Sequence, residues 1–143
     1  MIISLENAKK LYEVAKKYVV ELPESKWVWY KHPLRKWVKR FGNIITNENL
    51  GDEYIPAYTT DELLEWLPAY LEKETEGFVI DEEIIKQKKS FNLNIRKTEP
   101  YFYCFYSRVS GEGEEFMVEE EAETPADALC KLATKLIEEG VIK

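Results

Sequence analysis

The sequence predicts an α+β domain: a three- or four-stranded antiparallel sheet over about residues 78–123, with a C-terminal helix on one face. Two observations support this prediction. Apolar and polar residues alternate over the strands, and a helix with clear start and stop signals follows them. Helices in the N-terminal half are expected to supply a second cover. The chain has 143 residues, so we treat residues 1–143 as a single domain.

The C-terminal helix is specified at both ends. Thr124 stands at an N-cap position, Pro125 stands at the first helical position, and Gly140 is suited to ending the helix. Between these ends the apolar residues recur at the spacing of one buried helix face: Leu129, Leu132, Ala133, Leu136 and Ile137. This face is expected to cover the sheet.

Three stretches before that helix have the pattern of antiparallel strands. Residues 91–96 alternate apolar with polar side chains, which is typical of a strand with one solvated face. Residues 101–109 are apolar on both faces and are expected to form a central strand. Residues 116–123 alternate apolar residues with glutamates. The pattern is weakest at residues 78–90, which fit an edge strand where lysines would discourage pairing between molecules.

The N-terminal segment predicts a helix followed by an extended stretch. Ser4 caps the helix, which is expected to run to about Val20. Its apolar stripe could cover the sheet, another helix or the same helix of a second copy. Residues 26–31 are rich in β-forming residues and fit a short strand or an extended arm.

Two further helices are predicted before the sheet. The first begins at Pro33 and ends at Gly42, with one apolar stripe made of Leu34, Trp37, Val38 and Phe41. Residues 43–58 fit a loop. The next helix begins with a capping box at Thr59, and Pro68 is expected to kink or break it.

Charge is unevenly distributed along the chain. The net charge is −7, yet residues 26–40 carry +6, so the remainder sums to −13, and residues 112–123 contain seven glutamates. No apolar run approaches the roughly 20 residues that span a bilayer. The first residues lack the features of a secretion signal. These observations predict a cytoplasmic protein with no membrane association, in which Cys104 and Cys130 are reduced and buried.

The basic, aromatic stretch at residues 26–41 is the main functional candidate. Aromatic rings can stack on unpaired bases while lysine and arginine neutralise phosphates. The candidate polyanion-binding residues are Lys26, Trp27, Trp29, Lys31, Arg35, Lys36, Lys39 and Arg40. A plainer interpretation makes the aromatic residues core and the cations a solvated face. A third lets the stretch meet a protein partner or the acidic stretch 112–123. The net charge of −7 disfavours nucleic acid.

Residue types that carry catalysis are sparse. His32 is the single histidine, there is no Cys-x-x-Cys pair, and the glycines form no phosphate-binding loop. The glutamates of residues 112–123 lack the ligand spacing of a calcium loop and fit a solvated strand face. We therefore expect no catalytic residues, no metal site and no cofactor, and we expect a protein that is not an enzyme.

Two passages carry a resemblance to known proteins. Residues 55–64 read Ile-Pro-Ala-Tyr-Thr-Thr-Asp-Glu-Leu-Leu, and residues 122–129 read Ala-Glu-Thr-Pro-Ala-Asp-Ala-Leu. Together they resemble small uncharacterised proteins of phages, prophages and related mobile elements in bacteria, over about residues 55–143. The resemblance implies a bacterial or phage origin and no known activity. The expected function is a small non-enzymatic interaction or accessory protein, with a protein partner or a homodimer. The alternative is a nucleic-acid-binding accessory protein that uses residues 26–41.

Overall fold

The structure is a computed structural model that describes residues 2–31, 37–41 and 53–143. In chain order its elements are α1 (Leu5–Lys17), β1 (Trp27–Lys31), β2 (Val38–Phe41), β3 (Glu53–Pro56), α2 (Thr60–Trp66), β4 (Tyr70–Ile80), β5 (Glu83–Thr98), β6 (Tyr101–Ser110), β7 (Gly113–Ala122) and α3 (Pro125–Glu138).

The strands form two antiparallel sheets. The larger sheet has four strands in the order β4-β5-β6-β7, so each strand pairs with its neighbour in the sequence. The smaller sheet has the order β2-β1-β3. The predicted α+β class, the antiparallel sheet and the C-terminal helix on it are confirmed. The strand at residues 101–109 is central, as its two apolar faces predicted.

Helix α3 covers one face of the larger sheet at β6 and β7. The Thr124 hydroxyl accepts the Asp127 backbone N–H at 3.1 Å, and Gly140 takes the positive φ of 74° that ends the helix. The predicted apolar stripe is fully buried, and it joins Phe91, Cys104 and Tyr106 of the sheet in one core. Burial of this stripe is therefore the main attachment of the helix to the sheet.

Helices α1 and α2 pack on α3 and so form a second layer on the same side of the sheet. Ala8, Leu11 and Ala15 of α1 are buried, and the Ser4 backbone N–H donates to Asp127 Oδ1 at 2.7 Å. The apolar stripe of α1 was expected to cover the sheet, another helix or a second copy. In the structure it covers another helix, α3. The N-terminal helices thus cover α3, and side chains of the sheet itself surround Phe105 on the opposite face.

The N-terminal half differs from the prediction at two places. The helix predicted from Pro33 to Gly42 is wrong where the structure describes it, because residues 38–41 form β2 and Trp29 pairs with Lys39. Tryptophan, valine and phenylalanine favour strands, and pairing with β1 overrides the helical spacing. Residues 32–36 and 42–52 lie outside the described residues. Part of the predicted loop, residues 53–56, is β3.

Helix α2 is shorter than predicted. It keeps the capping box at Thr59 and Glu62, but it ends at Trp66 and the chain enters β4 at Tyr70. The break expected at Pro68 is therefore confirmed, since proline removes a backbone donor and clashes with the preceding turn. No helix in the described part of the chain is long and apolar enough to span a membrane.

Candidate functional site

The predicted polyanion-binding residues lie mainly on the smaller sheet. The side chains that the structure describes are Lys26, Trp27, Trp29, Lys31 and Lys39. Arg40 contributes its backbone to β2, while Arg35 and Lys36 lie outside the described residues. Alternation along β1 places Trp27, Trp29 and Lys31 on one face, and Lys39 of β2 lies opposite Trp29.

The chain's own lysines lie against the tryptophans of this stretch. Lys39 Nζ is 5.6 Å from the centre of the Trp29 ring, and the amines of Lys9 and Lys31 are 5.2 and 5.9 Å from that of Trp37. Both rings are half-buried against the core. The Trp29 indole N–H also donates to the Ile3 carbonyl at 3.2 Å. Ring surface that could stack on a base is therefore already partly covered.

Lys26 borders an open, acidic cleft beside the start of α2. The cleft is lined by Glu24, Asp61, Glu62, Glu65 and Trp66, among other residues. The Glu62 carboxylate accepts hydrogen bonds from the Ser25 hydroxyl and from the backbone N–H groups of Lys26 and Thr59, at 2.9–3.0 Å. Glu62 thus joins the start of β1 to the start of α2, which is a structural role.

Both cysteines are free and fully buried. Burial raises the pKa of each thiol, Cys104 and Cys130, to about 12. The Cys130 thiol also contacts the Asn7 carbonyl at 3.5 Å. A nucleophilic cysteine needs an accessible, low-pKa thiol, and these two have the opposite surroundings. His32 lies outside the described residues, and the described residues contain no cluster of His, Cys, Asp and Glu suited to a metal ion.

The glutamates of residues 112–123 are partly neutralised by nearby cations of the larger sheet and α3. Glu115 pairs with Lys89 at 3.5 Å, Glu114 with Arg96 at 3.3 Å, and Glu120 with Lys135 at 3.7 Å. The pairs are partly or largely exposed, so each contributes little to stability. This is the arrangement expected of a solvated strand face.

The sheet face opposite α3 carries a connected polar network. The Asn94 amide donates to the Ser107 hydroxyl at 3.3 Å, and that hydroxyl donates to the Glu114 carboxylate at 3.1 Å. Arg96 pairs with the same carboxylate and lies 5.0 Å from the centre of the buried Phe105 ring. Side chains of the sheet itself therefore cover its aromatic centre. Alternation in the sequence predicts the face but not these partners.

A two-stranded ribbon extends from the larger sheet. Strand β4 pairs with residues 83–92 of β5, whereas β6 pairs with β5 only over residues 92–98. Residues 72–90, called the ribbon from here on, therefore lie beyond the overlap of all four strands. Eight residue pairs, at about 3.3 Å each, give the ribbon a length of roughly 26 Å. Every side chain described in it is exposed except that of Lys89.

The ribbon ends in a tight turn with a bulge nearby. Asp81 and Glu82 have φ angles of 51° and 65°, the conformation of a two-residue hairpin turn. The strand register shifts at Gly77, where a Cβ atom would lie 3.1 Å from the Ile85 carbonyl oxygen. Glycine thus permits the close approach of the two strands at the bulge.

The ribbon tip, residues 79–85, exposes a group of β-branched apolar side chains. Val79 and Ile84 lie opposite each other across the ribbon, and 72% and 57% of their surfaces are exposed. Ile80 and Ile85 are exposed by 56% and 45%. The sequence predicts an edge strand over residues 78–90, whereas the structure has a hairpin with its turn at Asp81 and Glu82. The sequence contains a hairpin pattern at this point, because the apolar pairs Val79-Ile80 and Ile84-Ile85 flank three acidic residues.

No known protein family, curated protein or solved structure matches the chain. The resemblance to phage-type proteins over residues 55–143 therefore stays a prediction, and the site is interpreted from its own geometry.

Proposed function

We propose that the protein is a non-enzymatic interaction protein that associates with a second copy through the ribbon tip. The observation that carries this proposal is the exposure of Val79, Ile80, Ile84 and Ile85 at the end of a projecting ribbon. A two-stranded hairpin is only marginally stable by itself in water. A contiguous exposed apolar patch on a protein surface is typical of a site that binds another protein.

The expected association is weak. Full burial of one such side chain contributes about 1.5–3 kcal/mol, so eight half-exposed side chains from two copies contribute roughly 6–12 kcal/mol. Association itself costs an estimated 4–15 kcal/mol. The most favourable balance of these terms is about 8 kcal/mol, which corresponds to a dissociation constant of about 1 μM, so the association is micromolar or weaker.

Other observations fit this role better than catalysis. Both thiols are buried in their neutral form, and Glu62, at the acidic cleft beside α2, accepts hydrogen bonds from three donors. A cytoplasmic location is part of the proposal and is supported by the two unpaired thiols, which reducing compartments preserve. A role in a phage or mobile element rests on the sequence resemblance alone.

The test is the mass of the full chain in solution as a function of concentration. Light scattering is expected to give a mass that rises above the 16.9 kDa of one chain as concentration increases. The double variant Ile84→Thr/Ile85→Thr keeps β-branched residues but removes apolar surface, and it is expected to stay at 16.9 kDa. Val109→Thr is the matched control, since Val109 is 81% exposed on the other hairpin. A wild-type mass that never rises would overturn the proposal.

The alternative function is nucleic-acid binding through residues 26–41. It is supported by the grouping of Lys9, Lys31 and Lys39 around Trp29 and Trp37. Tryptophan fluorescence, measured with short single-stranded and duplex DNA and RNA, tests it directly. Quenching that weakens steeply between low and physiological salt would favour this function, because phosphate binding releases counterions. Unchanged fluorescence at low salt would exclude it.

A further inference from the structure

The face of the larger sheet opposite α3, called the outer face from here on, is open to solvent. Helices α1 and α2 pack on α3 and leave this face uncovered, and most of its side chains in β5, β6 and β7 are exposed. Alternation along the three strands places charged and aromatic side chains together on it. Those that matter here are Arg96, Tyr103, Glu114, Phe116, Glu119 and Glu121.

The outer face is negatively charged over β6, β7 and the part of β5 that pairs with β6. Its ionised groups there are three carboxylates and one guanidinium. Arg96 neutralises Glu114, at 3.3 Å. The Tyr103 hydroxyl donates to the Glu121 carboxylate, and this bond raises the pKa of the hydroxyl above its usual value. Glu119 is exposed and has no cation beside it among the described residues. Two carboxylates of this face are therefore without a cation.

Arg96 shows which kind of group suits the outer face. Its guanidinium lies 5.0 Å from the centre of the Phe105 ring while it pairs with Glu114. A planar guanidinium can stack on an aromatic ring and donate to a carboxylate at the same time. A second ring and carboxylate lie next to this pair, because Phe116 contacts Phe105 at 5.2 Å between ring centres and Glu119 is the strand partner of Phe105. Phe116 is 46% exposed, so this second position is open.

We propose that the outer face binds an arginine-rich, extended segment of another protein, which lies along β7. Its guanidinium groups stack on the Phe116 ring and donate to the carboxylates of Glu119 and Glu121. Charge complementarity selects this partner, since an acidic surface attracts a basic segment and repels nucleic acid and anionic lipid. The inference goes beyond the proposed function and does not depend on it, because the residues of the ribbon tip take no part.

Arginine suits this surface better than lysine does. The guanidinium is planar and more weakly hydrated than an ammonium group, and its donors match the two oxygens of a carboxylate. An ammonium group carries the same charge but cannot stack in the same way. The affinity for an arginine peptide is therefore expected to exceed that for a lysine peptide of equal length, whereas a purely electrostatic attraction would not distinguish them.

Calorimetric titration of the full chain with a hexa-arginine peptide at low ionic strength tests the proposal. Glu119→Gln/Glu121→Gln removes two charges and keeps the size of both side chains, and it is expected to raise the dissociation constant at least about fivefold. Phe116→Leu removes the ring and is expected to raise it about threefold. A hexa-lysine peptide is expected to bind the wild type at least about threefold more weakly than hexa-arginine.

The matched control is Glu138→Gln/Glu139→Gln, which removes two charges from exposed residues at the end of α3. It is expected to bind hexa-arginine within about twofold of the wild type. Equal weakening by the two double variants would show that the peptide responds only to net charge, and the proposal would be wrong. Absence of binding to the wild type, or equal affinity for the two peptides, would also overturn it. If Glu119→Gln/Glu121→Gln weakens self-association without any peptide, the outer face binds a second copy instead.

Discussion

Helix α3 and the ribbon tip carry similar apolar side chains in opposite surroundings. Eight of the 14 residues of α3 are buried, against the sheet on one side and against α1 and α2 on the other. At the ribbon tip Val79, Ile80, Ile84 and Ile85 face solvent. The chain thus buries the apolar face of α3 with its own residues, whereas the apolar side chains of the ribbon tip are exposed to solvent. The first determines folding, and the second is available for association.

The largest difference between the two regions is expected in their contribution to the free energy of unfolding. Ile137→Thr in α3 removes buried apolar surface and buries a hydroxyl, so it is expected to cost at least about 2 kcal/mol. Ile84→Thr makes the same change on an exposed strand and is expected to alter stability by less than about 0.5 kcal/mol. Urea denaturation of dilute protein measures both. Equal losses in the two variants would contradict the distinction between the regions.

Alkaline pH is expected to weaken the core and not the ribbon. The pKa of each buried thiol, Cys104 and Cys130, is raised from 9.0 to about 12 by burial, and burial also raises the pKa of the Tyr58 and Tyr106 hydroxyls above 10.0. The folded chain therefore holds protons that the unfolded chain releases. Stability from these groups is complete below pH 9 and falls as the pH rises from 9 towards 12, by at most about 1.4 kcal/mol per group and pH unit.

Urea denaturation over this pH range checks the expected slope. The control is Cys104→Ala, which removes one titrating thiol and is expected to flatten the dependence between pH 9 and pH 12. A stability that stays constant or increases through this range would show that the thiols are not held in a dry core.

A smaller change in stability is expected from a substitution at the C-terminal end of α1. Val19 has a φ of 55°, and the backbone N–H groups of Val19 and Val20 bond to the carbonyls of Lys16 and Ala15. Helix α3 ends with the same bonding, but glycine (Gly140) occupies the corresponding position. Val19 is exposed, so Val19→Gly is expected to stabilise the fold by about 1 kcal/mol, by relieving the left-handed conformation. Thermal unfolding measures it, and ribbon association is expected not to change. A lower midpoint would contradict this explanation.

The sequence predicted the parts of the fold whose local and tertiary preferences agree. Thr124, Pro125 and Gly140 mark the ends of α3, and the helical spacing of its leucines matches the surface that it covers. The central position of β6 followed from its two apolar faces. In α3 the residue pattern and the final burial have the same period, and in β6 consecutive residues 104–107 are buried on both faces.

Two parts could not be predicted because distant pairing decides them. Trp37, Val38 and Phe41 have helical spacing, yet residues 38–41 form a strand that pairs with β1. The ribbon depends on the register between β4 and β5, and its exposure depends on where β6 begins to pair. Of the candidate site at residues 26–41, the sequence predicted the grouping of charge and aromatic rings. It did not predict that Lys39 would lie against Trp29.

Amide hydrogen exchange at two protein concentrations tests the central claim most directly. The claim is that the core is complete in one chain while the ribbon is completed by a second copy. From about 1 μM to about 200 μM, a range that spans weak dimerisation, the amides of residues 83–88 are expected to exchange more slowly as concentration rises. The amides of α3 are expected to exchange slowly and equally at both concentrations. Identical exchange of residues 83–88 at both concentrations would contradict the claim.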